Sequence, residues 1–388
     1  MTKCGLLVLI GGRQIPNILT AQYLQPDVIL PVASHEAMRA NGIWERVAPV
    51  LNQLCPEGVA APLVVDAFEL EQTYSGIQAA LDNYPNTTWI FNITCATTIM
   101  SIAAYKVGLE RGATVWYLDT ATRRITSLNG TAGSKEVYHL GVANYLTVYG
   151  RQSKAVGPDP SPQQLAFARQ LAQYPQSAMA FREALRTAKA NVGKITQSRN
   201  LNLPSDPMTP IWCEAAQQAG LLNEYVLNAD GVIHCRLPDG RLWQWMDGLW
   251  LEIYALAAAL DVGCFDDCCY GLVIPGEYGT NDLDLAITYL ASLLIAECKT
   301  EEQPFETEHL DKLCTKANMV GGNFVGRIFI SSQTVSARNQ QQYERFCNQA
   351  RERQIVVVTG EELQDLRAIL EREAGVDVPR QFPTYARG

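Results

Sequence analysis

The C-terminal half of the chain takes its fold from residues 281–300, which read Asn281-Asp-Leu-Asp-Leu-Ala-Ile-Thr-Tyr-Leu-Ala-Ser-Leu-Leu-Ile-Ala-Glu-Cys-Lys-Thr300. This stretch predicts two neighbouring β-strands, with Asp284 on the first and Glu297 and Lys299 near the end of the second. Successive side chains of a strand point to opposite faces, so Glu297 and Lys299 share a face and Cys298 points away. Two carboxylates and a lysine on an apolar sheet are unfavourable unless they have partners, and a shared divalent metal would supply one. A solvated strand end is the alternative that these residues leave open.

The composition of the 388-residue chain is that of a globular protein with room for two domains. No apolar run approaches the ~20 residues that span a bilayer, so no membrane association is expected. The net charge of −9 does not attract polyanions, and any nucleic-acid contact must therefore be local. Eleven cysteines without a pairing rhythm predict a reducing, cytoplasmic location.

Short apolar runs alternate with helical patterns through the N-terminal third. The first run, residues 5–10, is apolar throughout, as expected of a strand buried on both faces of a parallel sheet. Further strands are predicted at 27–32, 62–65, 88–93 and 114–118, with helices at 18–24, 35–54, 69–83 and 97–111. This order predicts βαβ units in a doubly wound sheet, and such sheets bind ligands beyond the carboxyl ends of their strands.

Two of these strand ends carry residues suited to an anionic ligand, Gly11-Gly12-Arg13-Gln14-Ile15-Pro16-Asn17 and Asn92-Ile-Thr94-Cys95-Ala96-Thr97-Thr98. Glycines allow a close approach to the backbone, and the helices that follow present free N–H groups. The two loops together predict a nucleotide-sized site. The first loop is not Gly-x-Gly-x-x-Gly, which argues against a dinucleotide cofactor. For Thr94 or Thr97 taken singly, helix capping is the alternative.

Proline-rich segments at 156–163 and 203–210 predict breaks between structural units. We therefore predict a ligand-binding domain at 1–150, connecting helices at 151–205, and a second α/β domain at 206–388 with a small helix-and-hairpin module at about 208–245. In the second domain, residues 247–260 predict a helix in which Glu252 stands alone among apolar residues. Glu252 is either solvated or, if it faces the sheet, in need of a partner such as a metal.

The order Glu252, Asp284, Glu297-x-Lys299 resembles the PD-(D/E)xK nuclease superfamily. Nearly the whole chain resembles the CARF-domain nucleases that accompany type III CRISPR systems, through Ile10-Gly-Gly-Arg-Gln-Ile-Pro-Asn17, Asn92-x-Thr94, Gly248-Leu-Trp-Leu-Glu252 and Gly321-Gly322. The resemblance implies an N-terminal Rossmann-like CARF domain and a C-terminal restriction-endonuclease-like α/β domain. Relatives carry Gly-Gly-Thr-Lys where this chain has Cys95-Ala96-Thr97-Thr98, and Arg13 is the candidate replacement for the missing positive charge.

The resemblance also implies a function. A cyclic oligoadenylate, with cyclic tetra-adenylate as the expected activator, would bind across a CARF homodimer and switch on metal-dependent cleavage of single-stranded RNA, DNA or both. The implied ligand-binding residues are Gly11, Gly12, Arg13, Gln14, Asn17, Asn92, Thr94, Cys95, Ala96, Thr97 and Thr98.

The implied catalytic residues are Asp284, Glu297, Lys299 and Glu252. Mg²⁺ or Mn²⁺ would be held by Asp284, Glu297 and the backbone carbonyl of Cys298, with Glu252 as a further candidate. A sensor with an inactive nuclease-like domain is the main alternative, and the complete Asp284, Glu297 and Lys299 set argues against it. A nucleotide-dependent enzyme acting at the N-terminal sheet is disfavoured because no catalytic histidine is evident there.

Overall fold

The computed structural model describes residues 2–55, 58–120, 124–130, 135–136, 140–155, 158–191, 200–276, 279–322 and 325–375. The chain divides into two compact units. The first comprises Met1–Ser153 with the segment Thr288–Leu293, and the second comprises the other described residues.

A mixed sheet forms the centre of the first unit. Its strands are β1 (Lys3–Ile10), β2 (Val28–Ser34), β3 (Leu63–Val65), β4 (Thr87–Asn92), β5 (Thr114–Asp119), β6 (Arg124–Ser127) and β7 (Lys135–Glu136), in the order β3-β2-β1-β4-β5-β6-β7. The strands β1 to β5 pair in parallel, and β6 and β7 add antiparallel pairs at one edge. Because the strand order reverses between β1 and β4, the loops that follow these two strands lie at the switch point where such sheets bind ligands. The predicted doubly wound domain is confirmed.

The helices of the first unit are α1 (Ile15–Leu24), α2 (Ile43–Leu54), α3 (Leu70–Leu81), α4 (Thr98–Glu110) and α5 (Val142–Val148). The sequence predicted a helix from residue 35, which is wrong for the first eight residues before α2. Asn41 has a φ of 58° and Gly42 is extended at the N-cap, so the chain turns before the helix begins. Helix α1 begins earlier than predicted, because Pro16 is tolerated in a first helical turn.

The second unit contains a sheet in the order β16-β15-β14-β13-β12-β8. These strands are β8 (Lys154–Ala155), β12 (Asp267–Gly276), β13 (Gly279–Tyr289), β14 (Ser292–Lys299), β15 (Val325–Ser331) and β16 (Ile355–Val358). The helices are α6 (Pro162–Gln173), α7 (Pro175–Asn191), α8 (Thr209–Gln218), α9 (Arg241–Gln244), α10 (Trp250–Val262), α11 (Thr307–Met319), α12 (Gln340–Glu352) and α13 (Leu366–Ala374). A kinked segment, Trp245–Leu249, in which Gly248 is not helical, joins α9 to α10, and a 3₁₀ turn, Gly360–Asp365, precedes α13.

A small sheet, in the order β10-β11-β9, accompanies α8. Its strands are β9 (Asn200–Pro204), β10 (Glu224–Leu227) and β11 (Val232–Arg236). The predicted hairpin corresponds to β10 and β11, but the predicted proline-rich break begins inside β9. The alternation that makes β9 a strand is visible in its burial, since Leu201 and Leu203 are buried and their neighbours are exposed.

The segment predicted to contain connecting helices contributes to the core of the second unit. Phe167 and Leu171 of α6 and Phe181 and Leu185 of α7 are buried in the same apolar cluster as Trp250 of α10. Helix α10 is apolar on nearly every side, which is typical of a helix enclosed by other elements.

All eleven cysteines lie in the described part of the chain, and each is a free thiol. Among the described helices, none combines the length and hydropathy that a bilayer span requires.

Candidate active site and candidate ligand site

The adjacent strands β13 and β14 bring the three sequence-predicted residues Asp284, Glu297 and Lys299 together. Asp284 and Glu297 are only 5% and 3% exposed. The Cys298 N–H donates to Asp284 Oδ2 at 2.6 Å, and Lys299 Nζ lies 2.6 Å from Glu297 Oε1. The N–H and C=O of a strand residue point to the same side, so the Cys298 carbonyl also faces the Asp284 side of β14. Within the second unit, these residues form a buried polar cluster rather than a solvated strand end.

Sequence reasoning missed a second lysine in this cluster. Lys316 of α11 is 8% exposed, and its Nζ donates to Glu297 Oε2 at 2.6 Å and lies 3.5 Å from Asp282 Oδ1. Both oxygens of Glu297 therefore contact a lysine. The available signal was helical spacing, because Lys316 falls on the same face as the buried Leu313 and Ala317.

Burial and like charge act together on the carboxylates. Burial, followed by the Glu297 charge, raises the pKa of Asp284 to about 7, despite the opposing effect of Lys316. Burial also acts to raise the pKa of Glu297, but Lys316 and Lys299 outweigh it and the pKa is lowered. Burial acts to lower the pKa of Lys299, yet the Glu297 carboxylate holds it above its usual value. Without a metal, the ionised form of Glu297 is therefore favoured, whereas the ionised form of Asp284 is disfavoured.

Glu252 of α10 faces the same region. Burial and then the charges of Asp284 and Asp282 raise the pKa of Glu252 to about 8, so in the absence of a cation it is largely protonated at neutral pH. Glu252, Asp282 and Asp284 line one cavity of about 390 Å³. The sequence-predicted Glu252 thus lies with the β13 carboxylates, on the wall of a cavity large enough for a ligand.

The residues of this site fit a hard divalent cation. Carboxylate and backbone oxygens are the ligands that Mg²⁺ and Mn²⁺ prefer, and Asp284, Glu297, Glu252 and the Cys298 carbonyl are of that type. Burial, followed by the neighbouring carboxylates, raises the pKa values of Asp284 and Glu252, and a bound cation would favour the ionised form of both groups. In the part of the chain that the structure describes, no three His, Cys, Asp or Glu side chains already form a ligand set.

We expect Asp284→Asn to stabilise the metal-free protein and to abolish the nucleic-acid cleavage that the sequence resemblance implies. Asparagine can still accept from the Cys298 N–H, but it removes a buried charge next to Glu297. A carboxyl whose pKa is higher in the folded than in the unfolded state lowers the free energy of unfolding at high pH. This loss of stability is complete above the folded-state pKa and decreases as the pH falls toward the unfolded-state pKa. In EDTA at pH 8 the free energy of unfolding should rise by about 1–2 kcal/mol, and near pH 5 the gain should largely disappear.

Urea unfolding at the two pH values measures this gain. Asp282→Asn is the matched control, because Asp282 lies on the same strand with its side chain 68% exposed and should leave stability nearly unchanged. Equal stability of Asp284→Asn and the unmodified protein at both pH values would contradict the assignment.

In the first unit, the loops after β1 and β4 pack directly on each other. An added Cβ on Gly11 would collide with the Cys95 carbonyl oxygen and lie 2.8 Å from Ala96 Cα. A glycine at this position is therefore needed for the two loops to meet at the switch point.

A buried hydrogen-bond chain holds these loops in place. Asn17 Nδ2 donates to the Leu9 carbonyl, and Asn92 Nδ2 donates to Asn17 Oδ1, both at 2.8 Å. Thr94 Oγ1 donates to Asn92 Oδ1 at 2.7 Å and accepts from the Leu118 N–H at 2.8 Å. Asn17 and Asn92 are fully buried, so their amides stabilise the two loops from inside the domain.

The remaining predicted ligand residues differ in their access to solvent. Gln14 and Cys95 are buried, and Thr97 caps α4 by accepting from the Met100 N–H, as the capping alternative predicted. Burial raises the pKa of Cys95, while the Asn17 N–H and the Arg13 charge oppose the rise. The predicted residues with accessible surface are Gly11, Gly12, Arg13, Thr94, Ala96, Thr97 and Thr98, with Gly12 and Thr98 the most exposed.

Gly11→Ala and Gly12→Ala form a matched pair for this loop. The Gly11 change forces the two loops apart and should destabilise the first unit by about 1–3 kcal/mol. A Cβ on Gly12 meets no atom within 4 Å, so Gly12→Ala should preserve stability within about 0.5 kcal/mol. Thermal unfolding of both variants measures the difference. Equal destabilisation by the two changes would contradict the packing.

Comparison with known families agrees with this architecture. Residues 6–148 match the family described as the Card1 CARF domain, and residues 240–376 match the Card1-like endonuclease domain. The chain belongs to the CARF-domain nucleases of type III CRISPR systems. The predicted two-domain fold, a CARF domain followed by an α/β endonuclease domain, is confirmed for this family member.

Two solved structures share the fold of this CARF-domain nuclease along nearly its whole length. The crystal structure of protein VC1899 from Vibrio cholerae has a TM-score of 0.73 and 17% identity, covering 96% of this chain and 98% of that one. The structure of Can2 from Sulfobacillus thermosulfidooxidans in complex with cyclic tetra-adenylate has a TM-score of 0.67 and 18% identity, covering 95% and 97%. No curated protein sequence matches the chain.

Proposed function

We propose that this CARF-domain nuclease is a metal-dependent endonuclease that cyclic tetra-adenylate activates and that cleaves single-stranded RNA, DNA or both. The observation that carries the catalytic part is the buried cluster of Asp284 and Glu297, with Lys299 and Lys316 on the two oxygens of Glu297. Burying such charges is unfavourable, so a domain kept only as a scaffold would gain stability by replacing them with apolar residues. Their presence beside a cavity supports an active enzyme over an inactive nuclease-like domain.

The residue types suit phosphodiester hydrolysis. A Mg²⁺ or Mn²⁺ ion held by Asp284, Glu297 and the Cys298 carbonyl would lower the pKa of water and neutralise phosphate oxygens. Lys299 is the more exposed lysine, with 25% of its side chain accessible, and serves to orient the nucleophile or to contact the scissile phosphate as a point charge. Lys316 holds Glu297 in place, and Glu252 is the candidate for a further ligand.

The activator is proposed from the fold shared with Can2, whose structure was determined in complex with cyclic tetra-adenylate. The loops Gly11–Asn17 and Asn92–Thr98, adjacent at the switch point of the first sheet, are the candidate binding surface. A cyclic tetranucleotide has two-fold character, so we propose that it binds across a homodimer. Activation requires that the ligand bind the active arrangement more tightly than the resting one.

A cleavage assay with single-stranded RNA, single-stranded DNA and plasmid DNA tests the proposal, with and without Mn²⁺ and with and without cyclic tetra-adenylate. We expect cleavage only when both are present, and none with Asp284→Asn. Ligand binding without cleavage under any metal condition would instead support the sensor with an inactive nuclease-like domain.

A further inference from the structure

The cavity beside Glu252 and Asp284 is larger and more apolar than a metal and a phosphate need. Its volume of about 390 Å³ lies within the range of small-ligand sites, roughly 300–1,000 Å³. Beyond the carboxylates, its wall contains the rings of Trp245 and Tyr270, the side chain of Leu249, and the amide of Gln244. An apolar cavity with a few polar groups, open to catalytic carboxylates, is suited to a planar group that carries hydrogen-bonding edges.

One wall of the cavity is formed where α9 and α10 meet. The chain kinks at Gly248, whose backbone is not helical, so Trp245 precedes the kink and Leu249, Glu252 and Ile253 follow it at helical spacing. All four side chains line the cavity. The start of α10 that presents Glu252 to the carboxylate cluster therefore also presents two aliphatic side chains, and the indole lies on the other side of the kink.

The indole of Trp245 has an unused donor. Trp245 is 1% exposed, and its ring stacks on Phe167 with the planes 3° apart and the centroids 5.8 Å apart. Among the described residues, its Nε1–H has no hydrogen-bond partner. A buried N–H without a partner is unfavourable, and Trp245 is one of the residues that line the cavity.

Tyr270 of β12 stands on the cavity wall as a fixed aromatic group. Its hydroxyl donates to the Pro158 carbonyl at 2.9 Å, which limits rotation of the ring. Gln244, at the end of α9, adds an exposed amide that can both donate and accept. These groups together offer an aromatic surface and edge-directed polar groups within one cavity.

We propose that this cavity receives one unstacked nucleobase of the substrate, next to the scissile phosphate, with Tyr270 as its aromatic wall and Gln244 as its polar contact. The inference rests on the proposed endonuclease function. A base inside a duplex is stacked and paired, so only an unpaired or extruded base can enter. Such a site would favour single-stranded substrates and make cleavage dependent on the base at one position.

The test uses the full-length protein with Mn²⁺ and cyclic tetra-adenylate, and single-stranded oligonucleotides that carry an abasic site at successive positions around the cleavage site. We expect kcat/KM to fall about 10- to 100-fold when the abasic site is at one particular position next to the cut. Tyr270→Ala should cause a similar fall with the intact strand and little further fall with that abasic strand. Tyr270→Phe, which keeps the ring, should retain the difference between the intact and abasic strands.

Gln244→Ala tests the polar contact separately, by changing the relative rates for the four bases at that position. Leu260→Ala is the control, because Leu260 lies on α10 with 50% exposure and away from the lining of the cavity. Equal cleavage of intact and abasic strands by the unmodified protein at every position would overturn the base site while leaving the endonuclease proposal intact. Absence of cleavage of any strand would overturn both, and the abasic series needs no variant that must fold.

Discussion

Lys299→Ala is expected to lower nucleic-acid cleavage by about 10²–10³-fold or more, while leaving the fold in place. Lys299 lies at the end of β14, on the same face as Glu297 and 2.6 Å from its Oε1. Because it is the lysine of this pair that reaches solvent, it is the one that can meet a substrate phosphate. Its removal withdraws a positive charge where the transition state gains negative charge.

The structural part of this prediction follows from the second lysine. When Lys299 is removed, Glu297 keeps its 2.6 Å contact with Lys316, so no buried carboxylate is left without a cation. Thermal unfolding should therefore change little, and cyclic tetra-adenylate should bind with unchanged affinity because its candidate loops are in the first unit. The measurement is single-turnover cleavage with Mn²⁺ and saturating activator. Cleavage within a few-fold of the unmodified protein would exclude a catalytic role for Lys299.

Local sequence patterns were sufficient for most of the fold. The all-apolar run that became β1 and the residue 281–300 stretch that became β13 and β14 are set by side-chain alternation and burial, which a sequence displays directly. The strand β9 was missed because the proline-rich segment that begins at its end outweighed a short alternation of Leu201 and Leu203. The predicted start of α2 was too early because Asn41 has a positive φ and turns the chain before the helix. The composition does not reveal this backbone conformation.

Local pattern brought together only the candidate residues that are close in sequence. Asp284, Glu297 and Lys299 come from adjacent strands, so their meeting followed from the strand pairing alone, whereas Glu252 was predicted through the family resemblance. Lys316, Trp245 and Tyr270 reach the site through the packing of α11, the kinked segment before α10 and β12, which depends on the whole domain. In the first unit, Asn17 and Asn92 have the polarity expected of ligand-binding residues. Both are fully buried instead, and they hydrogen-bond to each other within the domain.

The contact between Lys316 and Glu297 should contribute strongly to stability, unlike most lysine–carboxylate pairs. Both side chains are under 10% exposed, and the Nζ–Oε2 distance is 2.6 Å. Lys316→Met removes the buried one of the two lysines that contact Glu297 and leaves only the more exposed Lys299, so we expect the free energy of unfolding in EDTA to fall by about 2–3 kcal/mol. Cleavage should fall as well, because Lys316 fixes the orientation of Glu297.

Lys312→Met on the same helix is the matched control for that loss. Lys312 pairs with Glu308 at 2.6 Å, but both side chains are more than half exposed, so its loss should change stability by less than about 0.5 kcal/mol. The double variant Lys316→Met with Glu297→Gln removes both buried charges, and it should recover part of the stability that each single change loses. Urea unfolding of the four proteins in this cycle gives the coupling energy between the two residues. Additive losses, or equal losses for Lys316→Met and Lys312→Met, would show that the buried contact does not hold Glu297.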